Sequence, residues 1–468
     1  MKPITIQQAA RACGGQFIGD PSLLSAAISG VSIDSRRTQP GDLFVPLKGE
    51  QADGHAYILS AFQNGASCAL SKRELPEDHQ PYIRVGCCQT AFGAIAAWYR
   101  SIFNVKVIAV TGSAGKTTTK EMIAAVLSAR YGPLQVLKSE KNFNNEIGLP
   151  LTLFGLDDRH EIAVLEMGMN HFGEISRLSK IARPDIAVIT NIGVSHIEYL
   201  GSREGILRAK CEIFDGMADG AVVWLNGDDD LLRTVREPRL RTAYFGLDKE
   251  LAVYAEDIAD RGLDGSSWTA VYDRASFQAE LPVPGLHMIR NALAAIGVGL
   301  CCGLTGDEMR KGISLYRPEA VENRMNILKI NRLTVLNDVY NASPDAMRAA
   351  LDVLALSTGR KVAVLGDMLE LGAQAERFHY EVGQYAARIQ TDMLICVGSL
   401  ARQIAAGAAA AGLTRIYIHS YPDQQTLFSE LHGLLKEGDT VLVKASRGMK
   451  MEKTVQYICE NEIFPKND

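Results

Sequence analysis

The sequence predicts an α/β protein of three domains: a small α/β module, a central domain on a parallel sheet, and a C-terminal domain on a second, doubly wound sheet. Three observations lead there. At 468 residues the chain exceeds what one hydrophobic core organises, and about 150 residues per domain gives roughly three. The run VKVIAV, rich in β-branched residues, passes into a glycine turn and then a helix with Met122, Ile123, Val126 and Leu127 on one face. Beyond about Gly312, strand-like and helix-like stretches alternate five times, the pattern of a parallel sheet with crossover helices.

Up to about Arg84, short apolar runs such as LFVPL are separated by turn signals at Gly14-Gly15, Gly19-Asp20-Pro21 and Pro40-Gly41-Asp42, which suits a small mixed module. In the middle segment, EIAVLEMG and PDIAVITNIG repeat the form of VKVIAV: an apolar strand that ends at a polar tip, as parallel strands buried on both faces require. The text between about Leu251 and Pro284 alternates and is rich in turns, so short antiparallel strands are expected before an alanine-rich helix at Asn291 to Leu300. RLTVLND, KVAVLGD, DMLICVG, RIYIHS and DTVLVKASRG supply the strands of the last sheet. Ligands of such sheets gather at the carboxyl ends of the strands, here near Asp338, Asp367 and Lys444 to Arg447.

Composition excludes several classes. A net charge of -5, with 47% hydrophobic and 22% charged residues, provides no broad basic field for nucleic acid. The start, MKPITIQQAARACGG, lacks an apolar core of signal-peptide length, and no run of about 18 apolar residues follows; a cytoplasmic location is expected. The nine cysteines show no C-x-x-C spacing, so reduced, mostly buried thiols are expected. No heptad stripe asks for a partner helix, and a monomer is expected.

The loop after VKVIAV reads Gly112-Ser113-Ala114-Gly115-Lys116-Thr117-Thr118. Its first glycine is not where the common P-loop spacing puts it, yet the chemistry is intact. Glycines let backbone N–H groups approach a phosphate, the following helix aims its positive end there, Lys116 adds charge and Thr117 can ligate magnesium. The bland alternative is a glycine turn that starts a helix. Glu166 closes the strand IAVLE, where a buried carboxylate needs a partner or a metal; the alternative is a side chain that reaches solvent. His196 follows DIAVITNIG and can bind a metal as a neutral imidazole or be an ordinary loop histidine. Lys210, in SREGILRAKCEIF, lies three and four places from Ile206, Leu207, Ile213 and Phe214, on the apolar face. It either snorkels to the rim or is desolvated to a neutral amine that can take up CO2 as a carbamate.

These motifs, with DSRRTQPGDLFVPLKGE, DGHAY, NFNNEIGLP, LEMG, NIGVSHIEYLGS, NRMNI, NDVYNASPDAM, LGDMLELG and VKASRG, resemble those of the Mur ligase family in order and spacing over nearly the whole chain. The resemblance implies a uridine-binding domain (1–84), a P-loop-like ATPase domain (85–312) and a C-terminal Rossmann-like ligase domain (313–468). It implies ATP and Mg2+, with Gly112 to Thr118 around the phosphates and Thr117, Glu166, His196 and a carbamylated Lys210 on metal. Lys116, His196 and Lys210 would serve catalysis. Asn291, Arg324 and Asp338 would hold ATP; Ser35, Arg36 and Lys48 the UDP-sugar; Asn144 and Asn145 the muramoyl-peptide side. YNASP and LGDMLELG favour, within the family, the addition of D-alanyl-D-alanine to a UDP-N-acetylmuramoyl-tripeptide through an acyl phosphate, in peptidoglycan synthesis. One departure stands out: the family's His-Asn-x-x-Asn is here His287-Met288-Ile289-Arg290-Asn291. Two rivals share the cradle: a sister ligase or folylpolyglutamate synthetase, and a nucleotide-gated binding protein without ligase chemistry.

Overall fold

Apolar strands ending at polar tips organise the three larger of four sheets in the computed structural model, which describes residues 1–49, 52–76, 81–317, 323–330 and 332–461. Glu50, the last residue of the first motif, and the tail from 462 lie outside them. The N-terminal sheet runs Gln16–Ile18, Tyr82–Arg84, Cys68–Ser71, Asp42–Phe44, Gly30–Ser32, with only the first pairing antiparallel. Beside it the helix Ile6–Cys13 starts at a reciprocal cap: Thr5 accepts from the Gln8 N–H and Gln8 from the Thr5 N–H.

The central sheet has nine strands. VKVIAV becomes Lys106–Thr111 in its interior, flanked by Ile162–Glu166 and Ile186–Ile189 in parallel register. The antiparallel text near 251–284 forms Val253–Asp260, Ser266–Tyr272 and Ala275–Leu281, which extend the same sheet beyond Arg241–Gly246. Val136–Lys138, Val222–Asn226 and Arg241–Gly246 are strands with no counterpart in the sequence reading. The alanine-rich helix is longer than expected, Leu286–Cys301, and it packs against Lys116–Tyr131 with its residues from Asn291 to Gly299 all buried.

In the C-terminal sheet the five expected strands are parallel, in the order Leu333–Asn337, Thr440–Lys444, Lys361–Gly366, Met393–Val397, Ile418–Tyr421. An unexpected antiparallel strand, Asn326–Ile330, covers the edge. RIYIHS is strand only from Ile418, because Arg415–Tyr417 turn as a short 3-10 segment. Among the described residues no helix is long and apolar enough to cross a membrane. The nine cysteines form no disulfide, but four rather than most are buried, and Cys87 is exposed.

Candidate active site

The two doubly wound sheets turn the carboxyl ends of their strands toward one cleft of ≈ 1060 Å³. On the central side its floor is the glycine loop. Gly112 has φ 151°, and a Cβ there would lie 1.8 Å from Thr190 Oγ1; at Gly115, φ 78°, a Cβ would lie 2.9 Å from Asn291 Oδ1. Only glycine lets the chain turn this tightly beneath its neighbours. The loop is braced from the adjacent strand: Thr190 Oγ1 donates to the Ala114 carbonyl at 2.6 Å, Asn191 Oδ1 accepts from the Ala114 N–H at 2.9 Å, and Ser113 Oγ accepts from the Gly193 N–H at 2.9 Å. No side chain caps the helix that follows, so its first-turn N–H groups stay available to an anion. Ser113, Ala114, Gly115, Lys116 and Thr118 line the cleft; Gly112 and Thr117 do not, Thr117 being buried behind the loop.

Lys116 Nζ donates back to the Gly112 carbonyl at 2.8 Å. Burial pulls its pKa down, with Glu166 opposing and Arg324 adding to the fall. Glu166 is 1% exposed; one oxygen accepts from Asn144 Nδ2 at 2.9 Å, and the other is buried without a hydrogen-bond partner. An unsatisfied buried carboxylate oxygen costs about 1–3 kcal/mol or more, and a cation would satisfy it. Lys210, near the end of the helix Arg203–Cys211, is 2% exposed yet lines the cleft, so the snorkelling alternative does not hold. Its side chain has no hydrogen bond or ion pair among the described residues. Burial first, and then the Lys116 cation, push its pKa far below the ordinary lysine range.

From the C-terminal domain come Arg324 and Asp338. Lys444, 2% exposed, donates to Asp338 Oδ2 at 2.6 Å and to the Asn341 carbonyl at 2.9 Å. The Arg324 guanidinium stacks on Tyr340 at 3.9 Å, with Arg447 5.0 Å from the same ring. Asn291 lines the cleft opposite. Met288, in the place of the family asparagine, is 5% exposed and packs with the apolar core.

One expectation is corrected. Asp367 does not line the cleft: its carboxylate accepts from the Ala401 N–H at 2.7 Å, inside the C-terminal domain. Asn145 does line it, but its side-chain oxygen is occupied by the N–H groups of Ile147 and Gly148. Ser35, Arg36 and Lys48 are outside the cleft, in the N-terminal domain. There Arg36 makes a two-pronged pair with Asp34, whose pKa falls to about 2 through that hydrogen bond, and Ser35 accepts from Asn64 through its carbonyl. Among the described residues no group of three or more His, Cys, Asp or Glu is placed to hold a metal ion; Thr117 and Lys210 are residues of other types. His196 lines the cleft, with Nδ1 2.6 Å from Glu370 Oε2.

The sequence reading passed over Thr190, Asn191, Lys444 as the partner of Asp338, and His287. A threonine and an asparagine directly after a strand beside the loop were the signal for the first two. His287 is half-buried in the cleft, and burial pushes its pKa down to about 4; Asp338 opposes this, while Arg290 and Lys444 add to it. Between about pH 6.5 and 4 the unfolded chain therefore binds a proton that the fold refuses, so this group's destabilising effect is absent above that window and grows on acidification. Wild type should lose about 2 kcal/mol more than His287→Gln between pH 7 and pH 4.5. Urea unfolding of both proteins checks this, and parallel pH profiles would contradict it.

Comparison with known proteins matches this architecture along its length. The Mur ligase family catalytic domain matches residues 27–125, the Mur ligase middle domain 110–299, and the Mur ligase glutamate ligase domain 323–447. A UDP-N-acetylmuramoyl-tripeptide--D-alanyl-D-alanine ligase of Bacillus subtilis is 38% identical over 95% of this chain and 96% of its own.

The chain belongs to the Mur ligase family. 

The Escherichia coli ligase of the same name is 35% identical over 98% of this chain and 99% of its own. Among solved structures, MurF from Acinetobacter baumannii superposes with a TM-score of 0.91 at 31% identity, covering 98% of this chain and 100% of that one. A Thermotoga maritima MurF ligase in complex with ADP has a TM-score of 0.83 at 28% identity, covering 93% and 98%. This Mur ligase is thus an ATP-dependent amide ligase with the three-domain architecture of its relatives. The rival of a nucleotide switch without ligase chemistry is set aside.

Proposed function

We propose that this Mur ligase joins D-alanyl-D-alanine to UDP-N-acetylmuramoyl-tripeptide, with ATP cleaved to ADP and phosphate, as a step of peptidoglycan precursor synthesis. The observation that carries the choice of substrates is full-length similarity to relatives of that name. The cleft supports the chemistry. The tripeptide carboxylate and the γ-phosphate are both anionic, and the loop N–H groups, the helix N-terminus and Lys116 offset their repulsion. The carboxylate oxygen bonds to phosphorus as ADP leaves; the dipeptide amine then attacks the carbonyl carbon, the C–O bond to phosphate breaks, and the nitrogen loses its proton. No protein nucleophile takes part. Holding both anions and the amine between two domains supplies proximity and keeps water from the acyl phosphate.

The residues fit a magnesium site in one respect, the unpartnered Glu166 oxygen. Thr117, Glu166, His196 and a carbamylated Lys210 are the proposed ligands. Bound Mg2+ would supply charge neutralisation at the phosphate oxygens. Lys210, unpaired and with its pKa pushed far below the ordinary lysine range by burial, is suited to carbamate formation. Asn291, Arg324 and Asp338 are proposed to hold ATP, Asn144 and Asn145 the peptide side, and Ser35, Arg36 and Lys48 the uridine end. The proposed domains are 1–84, 85–312 and 313–468, in a cytoplasmic monomer.

The test is product analysis by mass spectrometry with a panel of UDP-muramoyl peptides against D-alanyl-D-alanine and single amino acids. The expected product is the pentapeptide from tripeptide and dipeptide. Efficient use of a single amino acid instead would assign a sister ligase.

A further inference from the structure

The central domain meets the C-terminal domain along residues 193–198, beside the glycine loop. Three contacts reach that stretch from the other domain. Asp345 comes within hydrogen-bond reach of the Val194 N–H, and its Oδ2 lies 2.4 Å from where a Cβ on Gly193 would stand. Gly372, φ 55°, seats against the turn Ile197–Leu200, where an added Cβ would lie 3.4 Å from Glu198 Cα. Between these two contacts, Glu370 Oε2 lies 2.6 Å from His196 Nδ1.

Both members of that pair are strained. His196 has φ 63° and Glu370 φ 62°, a left-handed backbone that residues other than glycine adopt seldom and retain where surrounding structure over-determines it. Two such residues facing each other across a domain boundary, with the imidazole only 20% exposed, mark a built contact rather than two loose side chains. The carboxylate fixes one ring nitrogen. Nε2 is then the nitrogen left to the cleft, and it has no hydrogen bond among the described residues.

We propose that Glu370 is a positioning residue for His196, delivered by the C-terminal domain, so that the imidazole takes its working orientation only when that domain is docked. The proposal rests on the reading of the cleft as the ATP and metal site. It adds a residue of the C-terminal domain to a set of proposed metal ligands otherwise drawn from the central domain. A carboxylate that holds the far nitrogen of a histidine sets its tautomer and direction, and loss of such a partner costs about 10- to 100-fold in metal affinity or activity. Docking would thereby be coupled to chemistry without any contact between Glu370 and substrate.

The experiment compares wild type, Glu370→Ala, Glu370→Gln, His196→Ala and the double variant His196→Ala/Glu370→Ala. Three readouts are taken: kcat and KM for ATP, Mn2+ affinity by electron paramagnetic resonance in the presence of ADP, and the 15N shifts of the His196 ring. Glu370→Ala should lower kcat about tenfold with KM for ATP little changed, weaken Mn2+ binding about tenfold, and shift the His196 nitrogens. Glu370→Gln, which keeps an oxygen of the same reach against Nδ1, should recover a good part of each loss. In the His196→Ala background the second change should add nothing, because the two residues act as one unit. Losses that multiply, or wild-type Mn2+ affinity and ring shifts in Glu370→Ala, would overturn the proposal while ligation by the wild type stood. Absence of ligation by the wild type would instead sink the proposed function, with ring shifts and Mn2+ affinity still reporting on the pair.

Discussion

Replacing Lys210 by alanine is expected to reduce ligation about 10²- to 10³-fold without unfolding the protein. The side chain is 2% exposed, faces the cleft and pairs with no anion. Burial and Lys116 both disfavour its charged form. A structural lysine would be paired, and its loss would leave a partner unsatisfied. Here there is no such partner, so thermal stability should hold or rise. The catalytic loss follows if the amine carries a carbamate, because alanine then removes an anion placed where transition-state charge is managed, and groups of that kind are worth about 10²–10³ in kcat. Short carboxylic acids such as formate or acetate fit the vacated space and should restore part of the rate. Full activity in Lys210→Ala would refute a catalytic lysine; an inactive variant that no acid restores would refute the carbamate.

Glu166→Gln should be nearly as damaging to activity, and for a complementary reason. The substitution keeps shape and leaves an oxygen to accept from Asn144, but it replaces the unpartnered carboxylate oxygen. Without ligands, the variant should be as stable as wild type or more so, the familiar trade between stability and an active site's poised groups. Ligation should fall on the order of 10²-fold, and the Mg2+ concentration for half-maximal rate should rise. Unchanged Mg2+ dependence together with an unchanged rate would make Glu166 a structural carboxylate. The two variants separate stability from function in the same direction, which lesions of the fold would not do.

How much of this site the sequence discloses depends on whether a residue's job is local. The glycine loop was legible because its strand, turn and helix are consecutive; Ser113 to Lys116 line the cleft, and Gly112 turns beneath Thr190. Lys210 was legible from periodicity alone: Ile206 and Ile213, its helical neighbours, are fully buried, and the lysine is buried with them. Thr190 and Asn191 brace the loop only because Ile186–Ile189 lies parallel to Lys106–Thr111, a pairing between strands some 80 residues apart. The pairing of Lys444 with Asp338 has the same origin, since the strands that end there are neighbours in space. Asp367 shows the rule misapplied. It too follows a parallel strand, but its neighbour is the segment leading into Ala401–Ala410, and its carboxylate is consumed there. Short strands such as Val136–Lys138 and the edge strand Asn326–Ile330 escaped because each is defined by its partner rather than by an apolar run of its own. Arg36 and Asn145 were assigned by resemblance, and local hydrogen bonds engage both side chains in the structure.

The central claim is that ATP activates the peptide's own carboxylate between the two domains. It is tested most directly by carrying out the reaction with UDP-tripeptide labelled with 18O in its terminal carboxylate and measuring the released phosphate by mass spectrometry. The account predicts one 18O in phosphate for each amide bond formed, because the oxygen that attacks phosphorus departs with it when the amine displaces the acyl phosphate. Unlabelled phosphate accompanying amide formation would contradict it.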